Sequence, residues 1–268
     1  MSVINCMYRN RMDCALPGMK KFLLIVLLCF VAPALASLAV RAASSQPGSW
    51  RAADWSSSGI LPAAAESSGA AVYVMAARTG GLKGALAVHS WIVTKAAGAQ
   101  RYNRYDKVGW GSPIRTNAYP ADGRWYSNAP EILLALYGDD AARLIPGIEA
   151  AVSAYPFAER GDYTIWPGPN SNSFIAHVLR SVPELDLALP PEAVGRDYRP
   201  WGEYVTLSPD WRNLELSLGG YAGLAVGTLY GVELRLGGLV FGIDIMRPAL
   251  KLPGFGRIGM ARNAALIS

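Results

Sequence analysis

Two stretches in the last third of the chain alternate apolar and polar residues without a break: Leu214-Glu215-Leu216-Ser217-Leu218 and Val232-Glu233-Leu234-Arg235-Leu236. Successive side chains on a strand point to opposite faces, so this period of two predicts two half-buried β-strands. Residues 219–231 and 237–245 are apolar and glycine-rich. They read as further strand or as a hairpin that touches a membrane; the second reading requires residues 214–246 to expose an apolar surface. Earlier, residues 70–77 and 85–94 form short apolar runs with β-branched residues and glycine punctuation, which predicts two strands, the second buried on both faces. Tyr102 to Trp110 interleaves aromatic and charged residues and predicts another strand, ended by Gly109, Gly111 and Pro113.

The longer period predicts three helices. Residues 130–137 form the first, capped by Ser127 or Asn128 and ended by Gly138. Residues 141–155 form the second, with Asp139 and Asp140 as caps, Leu144, Ile148, Ala151 and Val152 on one face, and a break or kink at Pro146-Gly147. The third spans 170–181, behind the segment Trp166-Pro167-Gly168-Pro169. Its first residues, Asn170, Ser171, Asn172 and Ser173, are types that cap helix starts. Residues 184–202 contain Pro190, Pro191 and Pro200 and read as an extended loop. The tail, 247–262, is basic with Pro248 and Pro253.

At the other end, Lys20-Lys21 precedes an unbroken apolar run from Phe22 to Val31, and Ala34-Leu35-Ala36 follows. That is the layout of a secretory signal cleaved after Ala36. Continued through Leu35, Leu38 and Val40, the run is also long enough for an uncleaved membrane anchor. Residues 1–18 read as an upstream extension, 19–40 as signal or anchor, 41–69 as a linker rich in Ala, Ser, Gly and Pro, and 70–262 as a single α+β domain. In that domain a small antiparallel sheet packs against helices.

Composition narrows the chemistry. The 25 Lys+Arg against 20 Asp+Glu give a formal net charge of +5 with no dense basic run, so no nucleic-acid partner is expected and the membrane contact is assigned to residues 22–40. Cys6, Cys14 and Cys29 are the three cysteines, so the chain beyond residue 29 has no disulfide, thiolate nucleophile or cysteine–zinc site. His89 and His177 are the two histidines, far apart and without a metal-binding spacing, so neither a metal nor a cofactor is expected.

The remaining chemistry centres on the start of the third helix, where free N–H groups suit an anion or oxyanion. In a hydrolase-like arrangement Ser171 is the nucleophile and His89, from a buried strand, takes its proton. The amides of Asn172 and Ser173 then stabilise an oxyanion. Asn103 or Tyr105 on the next strand orients the imidazole. Asn170, Asn172, Ser173, His177 and Trp91 surround the site as binding residues. The plainer reading makes Ser171 a helix cap and His89 a core histidine.

Five blocks, Val88-His89-Ser90-Trp91, Val108-Gly109-Trp110-Gly111, Trp166 through Phe174, Gly195-Arg196-Asp197-Tyr198 and Arg247 through Gly259, resemble the bacterial family catalogued as domain of unknown function 3750, over roughly residues 70–260. That resemblance implies no activity. Fainter is the likeness to circularly permuted papain-like proteins, the group of NlpC/P60 peptidases and lecithin–retinol acyltransferases. There a strand histidine precedes an Asn-Cys-x-x-Phe helix start; here His89 precedes Asn170-Ser171-Asn172-Ser173-Phe174. The likeness implies a hydrolase or acyltransferase acting on an amide or ester, such as a cell-wall peptide or a lipid, in the inner membrane or periplasm. Serine replaces the cysteine, and a hydroxyl needs stronger base assistance than a thiol. The alternative is a non-catalytic envelope binding or structural module. Proximity of His89 to Ser171 separates the two.

Overall fold

The apolar N-terminal run folds as one helix, α1 (Gly18–Ala43), long and apolar enough by length and composition to cross a membrane. The computed structural model describes residues 18–262. Cys6, Cys14 and positions 1–17 of the expected extension lie outside the described residues. Pro33 lies in the middle of α1 without ending it, because the preceding turn, Leu27–Val31, widens to a π-helical one. Such a turn makes room for a proline that has no N–H to give.

β1 (Ala71–Arg78) and β2 (Val88–Lys95) pair antiparallel along their whole length, Ala71 opposite Lys95 and Arg78 opposite Val88. With β3 (Asn103–Lys107), β4 (Ile114–Thr116) and β5 (Glu131–Tyr137) they form a five-stranded sheet in the order β4-β3-β2-β1-β5. Its central strands are buried on both faces, as their unbroken apolar sequence requires. One face carries Val72, Val74 and Ile92 and is covered by α2 (Gly138–Ser153) and α3 (Ser171–Ser181), through Ile148, Phe174 and Ile175. The other carries Tyr73, Met75, Trp91 and Val93 beneath Trp125 and Trp55.

The second sheet is a seven-stranded antiparallel meander: β6 (Val205–Leu207), β7 (Asn213–Ser217), β8 (Ala222–Gly227), β9 (Gly231–Leu236), β10 (Leu239–Asp244), β11 (Ala249–Leu252) and β12 (Gly256–Gly259). The two alternating segments are β7 and β9, and the glycine-rich segments between and after them are β8 and β10. Their burial runs opposite to the usual sense. Glu233 and Arg235 are 1% and 4% exposed, while Leu234 and Leu236 are 47% and 41% exposed. The buried face is an ion network: the Glu233 carboxylate accepts from Arg196 (2.5 Å), Arg235 (2.9 Å) and Lys251 (2.5 Å), and Glu215 pairs with Arg199 and Arg235.

α1 docks on both sheets' surroundings through one stripe. Phe30, Ala34 and Ser37 are buried. Phe30 packs on Phe241 of β10 with ring centroids 6.1 Å apart. Ser37 donates to the carbonyls of Ala85 (2.8 Å) and Gly254 (3.3 Å). Gly254, at φ +77°, admits this approach, since a Cβ there would stand 2.5 Å from Ser37.

Three expectations are corrected. Residues 130–137 are strand β5: helix-forming Leu and Ala residues are overridden by the open edge of β1, which pairs with them from Ala71–Tyr137 to Ala76–Glu131. Asn128 does not cap a helix; its amide donates to the carbonyls of Arg78, Trp125 and Tyr126. The helix of α2 runs through Pro146 without breaking; Pro146 and Gly147 face solvent, where water can take up the unpaired carbonyl. Residues 44–68 pack as a strap, with Trp55 among Trp50, Tyr119, Trp125 and Tyr126 and with Ser57 donating to Asp122 at 2.6 Å.

Candidate functional site

β2 places His89 and Ser90 on opposite faces, and each finds a different set of partners. Ser90 looks toward α3 and donates to the Asn172 side-chain oxygen at 2.8 Å. His89 looks the other way. Its ring stacks on Trp125 with centroids 3.6 Å apart and planes 4° apart, and its Nε2 lies 2.9 Å from Asp106 Oδ1. Asp106 is held by two bonds from Arg104, at 2.7 and 2.8 Å, and the Arg104 guanidinium lies over the Trp91 ring at 4.0 Å. Burial opposes charge on Asp106, but Arg104 and His89 outweigh it and hold the carboxyl below its ordinary range. Burial likewise drives the His89 pKa down, with Asp106 opposing. A neutral imidazole beside an ionised carboxylate must carry its proton on Nε2, the atom facing Asp106.

The start of α3 is closed by its own residues. Asn170 accepts the backbone N–H groups of Asn172 (2.8 Å) and Ser173 (3.1 Å) through Oδ1 and donates from Nδ2 to the carbonyls of Ile165 and Val194 at 2.9 Å each. Ser173 Oγ returns the cap by accepting from the Asn170 N–H at 2.7 Å. This is a capping box with serine at its fourth position. Gly195, at φ +86°, lets this arrangement close, because a Cβ there would stand 2.3 Å from the Asn170 amide. Asn172 donates to the carbonyls of Val88 (3.0 Å) and Val194 (2.8 Å), tying helix, sheet and following loop together. Ser171 is 3% exposed and faces the Tyr163 hydroxyl with its side chain and backbone.

The expected catalytic constellation is therefore not assembled. His89 points into the aromatic layer on the sheet face away from α3, and the two amides expected to hold an oxyanion already bond Asn170. Asn103 opens β3 at the surface and accepts from Asn117 at 3.1 Å; Asp106, three residues on, is the group that orients the imidazole. Tyr105 faces the helices and meets Glu149 at 3.3 Å. Trp91 is fully buried and donates to the Ala121 carbonyl at 2.9 Å. His177 Nε2 lies 3.2 Å from the Ala151 carbonyl and joins α3 to α2. Arg104 and Asp106 stand two apart on the strand beside β2, so period-two reading of Arg104-Tyr105-Asp106-Lys107 places both on one face.

An open cavity lies at the other end of α3. It has a volume of about 440 Å³ and runs between α3, the loop after it, and β6–β7, with Leu179, Leu189 and Leu207 on its walls and Arg180, Arg196, Glu215 and Tyr230 among its polar groups. Among the described residues the Arg180 guanidinium makes no hydrogen bond or ion pair, and burial, then Arg199, lowers its pKa to about 10. Arg196 Nε is the one buried side-chain nitrogen without a partner among the described residues, although its other nitrogens bond the Leu189 carbonyl and Glu233. Nothing in the local sequence separates Arg180 from any other helix arginine; the β6–β7 wall that buries it comes from about thirty residues later.

Fold and sites together define an α+β protein of two antiparallel sheets, with helices on one face of the first and an apolar N-terminal helix docked beside the second. A family model described as "Protein of unknown function (DUF3750)" matches residues 69–198, the same family that the sequence blocks resemble. The match covers the first sheet, α2, α3 and the loop to Tyr198, and leaves β6–β12, with the block 247–259, outside. No curated protein and no solved structure matches the chain.

Proposed function

We propose that this is a cell-envelope protein, held at the inner membrane by an uncleaved α1, whose domain binds a ligand without transforming it. The observation that carries the reading is the Arg180 guanidinium, unpaired in a cavity that combines an apolar wall of Leu179, Leu187, Leu189, Leu207 and Leu229 with polar groups, among which the buried Glu215 carboxylate is already engaged by Arg199 and Arg235. A ligand with an apolar body and a carboxylate or phosphate group suits that combination. The carboxylates of Glu184, Asp186 and Asp210 at the rim are exposed, where water and salt weaken their repulsion of an anion. Retention of α1 is supported by the burial of Phe30 and Ala34, which cleavage after Ala36 would remove from the docked stripe. The papain-like reading, with Ser171 attacking a cell-wall peptide or lipid, lacks both its base and its oxyanion donors.

The test uses the full-length protein in detergent. Short-chain alkyl carboxylates and alkyl phosphates should raise its melting temperature, and Arg180→Gln should abolish the rise. Stabilisation by neither series would refute the reading. In parallel a fluorophosphonate probe should leave the protein unlabelled; labelling that disappears in Ser171→Ala would restore the hydrolase.

A further inference from the structure

The second sheet is inside out for a protein surrounded by water. Its charged face is buried, and its other face exposes Leu214, Leu216, Val232, Leu234, Leu236 and Ile243, each at least 37% accessible, across three strands. Monomeric soluble domains rarely show so continuous an apolar surface. We infer that this leucine face lies against the hydrocarbon of the same bilayer that holds α1.

The depth follows from the helix. At about 1.5 Å per residue, Phe22 to Val40 of α1 covers about 28 Å, close to the roughly 30 Å thickness of a bilayer core. Phe30 lies about 12 Å along that length, near the midplane. Phe30 is also the residue packed on Phe241 of β10. A helix that spans therefore carries β10 and its neighbours to bilayer depth, and the side chains meeting lipid there are the exposed Leu, Val and Ile. Backbone N–H and C=O groups lie in the plane of a sheet, so a sheet that meets lipid face-on presents only side chains. The ions stay on the protein side, which is the apolar-out, polar-in alternation of strands in membrane barrels. Strands of four to six residues reach about 14–20 Å, against the nine to eleven residues a spanning strand needs, so the sheet enters the membrane without crossing it. Aromatic residues mark both ends of the strands: Trp201 (72% exposed) and Tyr221 at one, Trp211 (80% exposed) at the other. Such rings favour the membrane–water boundary.

The inference rests on the anchor reading of α1, and one experiment separates the two. In full-length protein with Cys6, Cys14 and Cys29 replaced by serine, single cysteines at Leu234→Cys and Ile243→Cys carry an environment-sensitive fluorophore, in vesicles with or without brominated acyl chains. Leu24→Cys on α1 and Arg160→Cys on an exposed loop are the references. We expect several-fold quenching at 24, 234 and 243 and none at 160. Quenching at 24 with none at 234 and 243 would overturn the inference and leave the anchor standing. If those two labels are then also shielded from aqueous iodide, a second copy covers the face. Silence at all three positions would sink both readings. Two independent sheet positions guard against one variant that misfolds.

Discussion

Ser90 donates its hydroxyl to Asn172, 82 residues further on, and that bond decides which way β2 faces. With Ser90 turned to α3, the strand period turns His89 away from it. A pairing that joins the sheet to the helix start thus also separates the histidine from Ser171.

Asn172 holds three buried partners: Ser90 and the carbonyls of Val88 and Val194. Asn172→Ala leaves all three without a bond, and unsatisfied buried groups cost about 1–3 kcal/mol each before relaxation or water entry. We expect a loss of about 2–4 kcal/mol in urea unfolding. Ser90→Ala should cost less, and the double variant should show coupling between the two sites.

Asp106→Asn removes the charge that receives both Arg104 bonds and leaves a buried guanidinium poorly paired. The expected destabilisation is about 3–5 kcal/mol, read by thermal or chemical unfolding. Asn103→Ala, at the strand's exposed start, should change stability by less than about 0.5 kcal/mol.

Acid should weaken the fold through the same cluster. The pKa values of both His89 and Asp106 lie below their ordinary values. For each group the unfolded chain takes up protons before the folded one does, so the stabilisation is complete above about pH 6.5 and declines as pH falls, first through histidine and then through aspartate. The melting temperature should drop between about pH 7 and pH 5, and His89→Gln should flatten that part of the curve while leaving the decline near about pH 4.

Gly254→Val places a branched side chain where Ser37 of α1 now sits. The first sheet should keep its stability, while α1 should lose its dock and become open to proteolysis near residue 43. Protected α1 in this variant would contradict the packing described.

The local sequence settles the elements that repeat a strong period. The unbroken apolar runs became β1 and β2, the polar-capped segment after Pro169 became α3, and the alternating Leu-Glu-Leu-Ser-Leu and Val-Glu-Leu-Arg-Leu segments became β7 and β9. It also marked Asn170–Ser173 as a helix cap, because capping is a matter of neighbours three residues apart. Period alone does not say which side of a strand is inside. For β7 and β9 the answer came from Arg196, Arg199 and Lys251, distant residues that gather on the charged face and leave the leucines outside. For β2 it came from Ser90 and Asn172. Residues 130–137 became β5 because an unpaired strand edge stood beside them, and the Arg180 cavity exists because α3 meets β6 and β7 across a long loop. Each outcome depends on contacts between segments far apart in the chain, and side-chain direction, edge pairing and cavity walls are properties of such contacts.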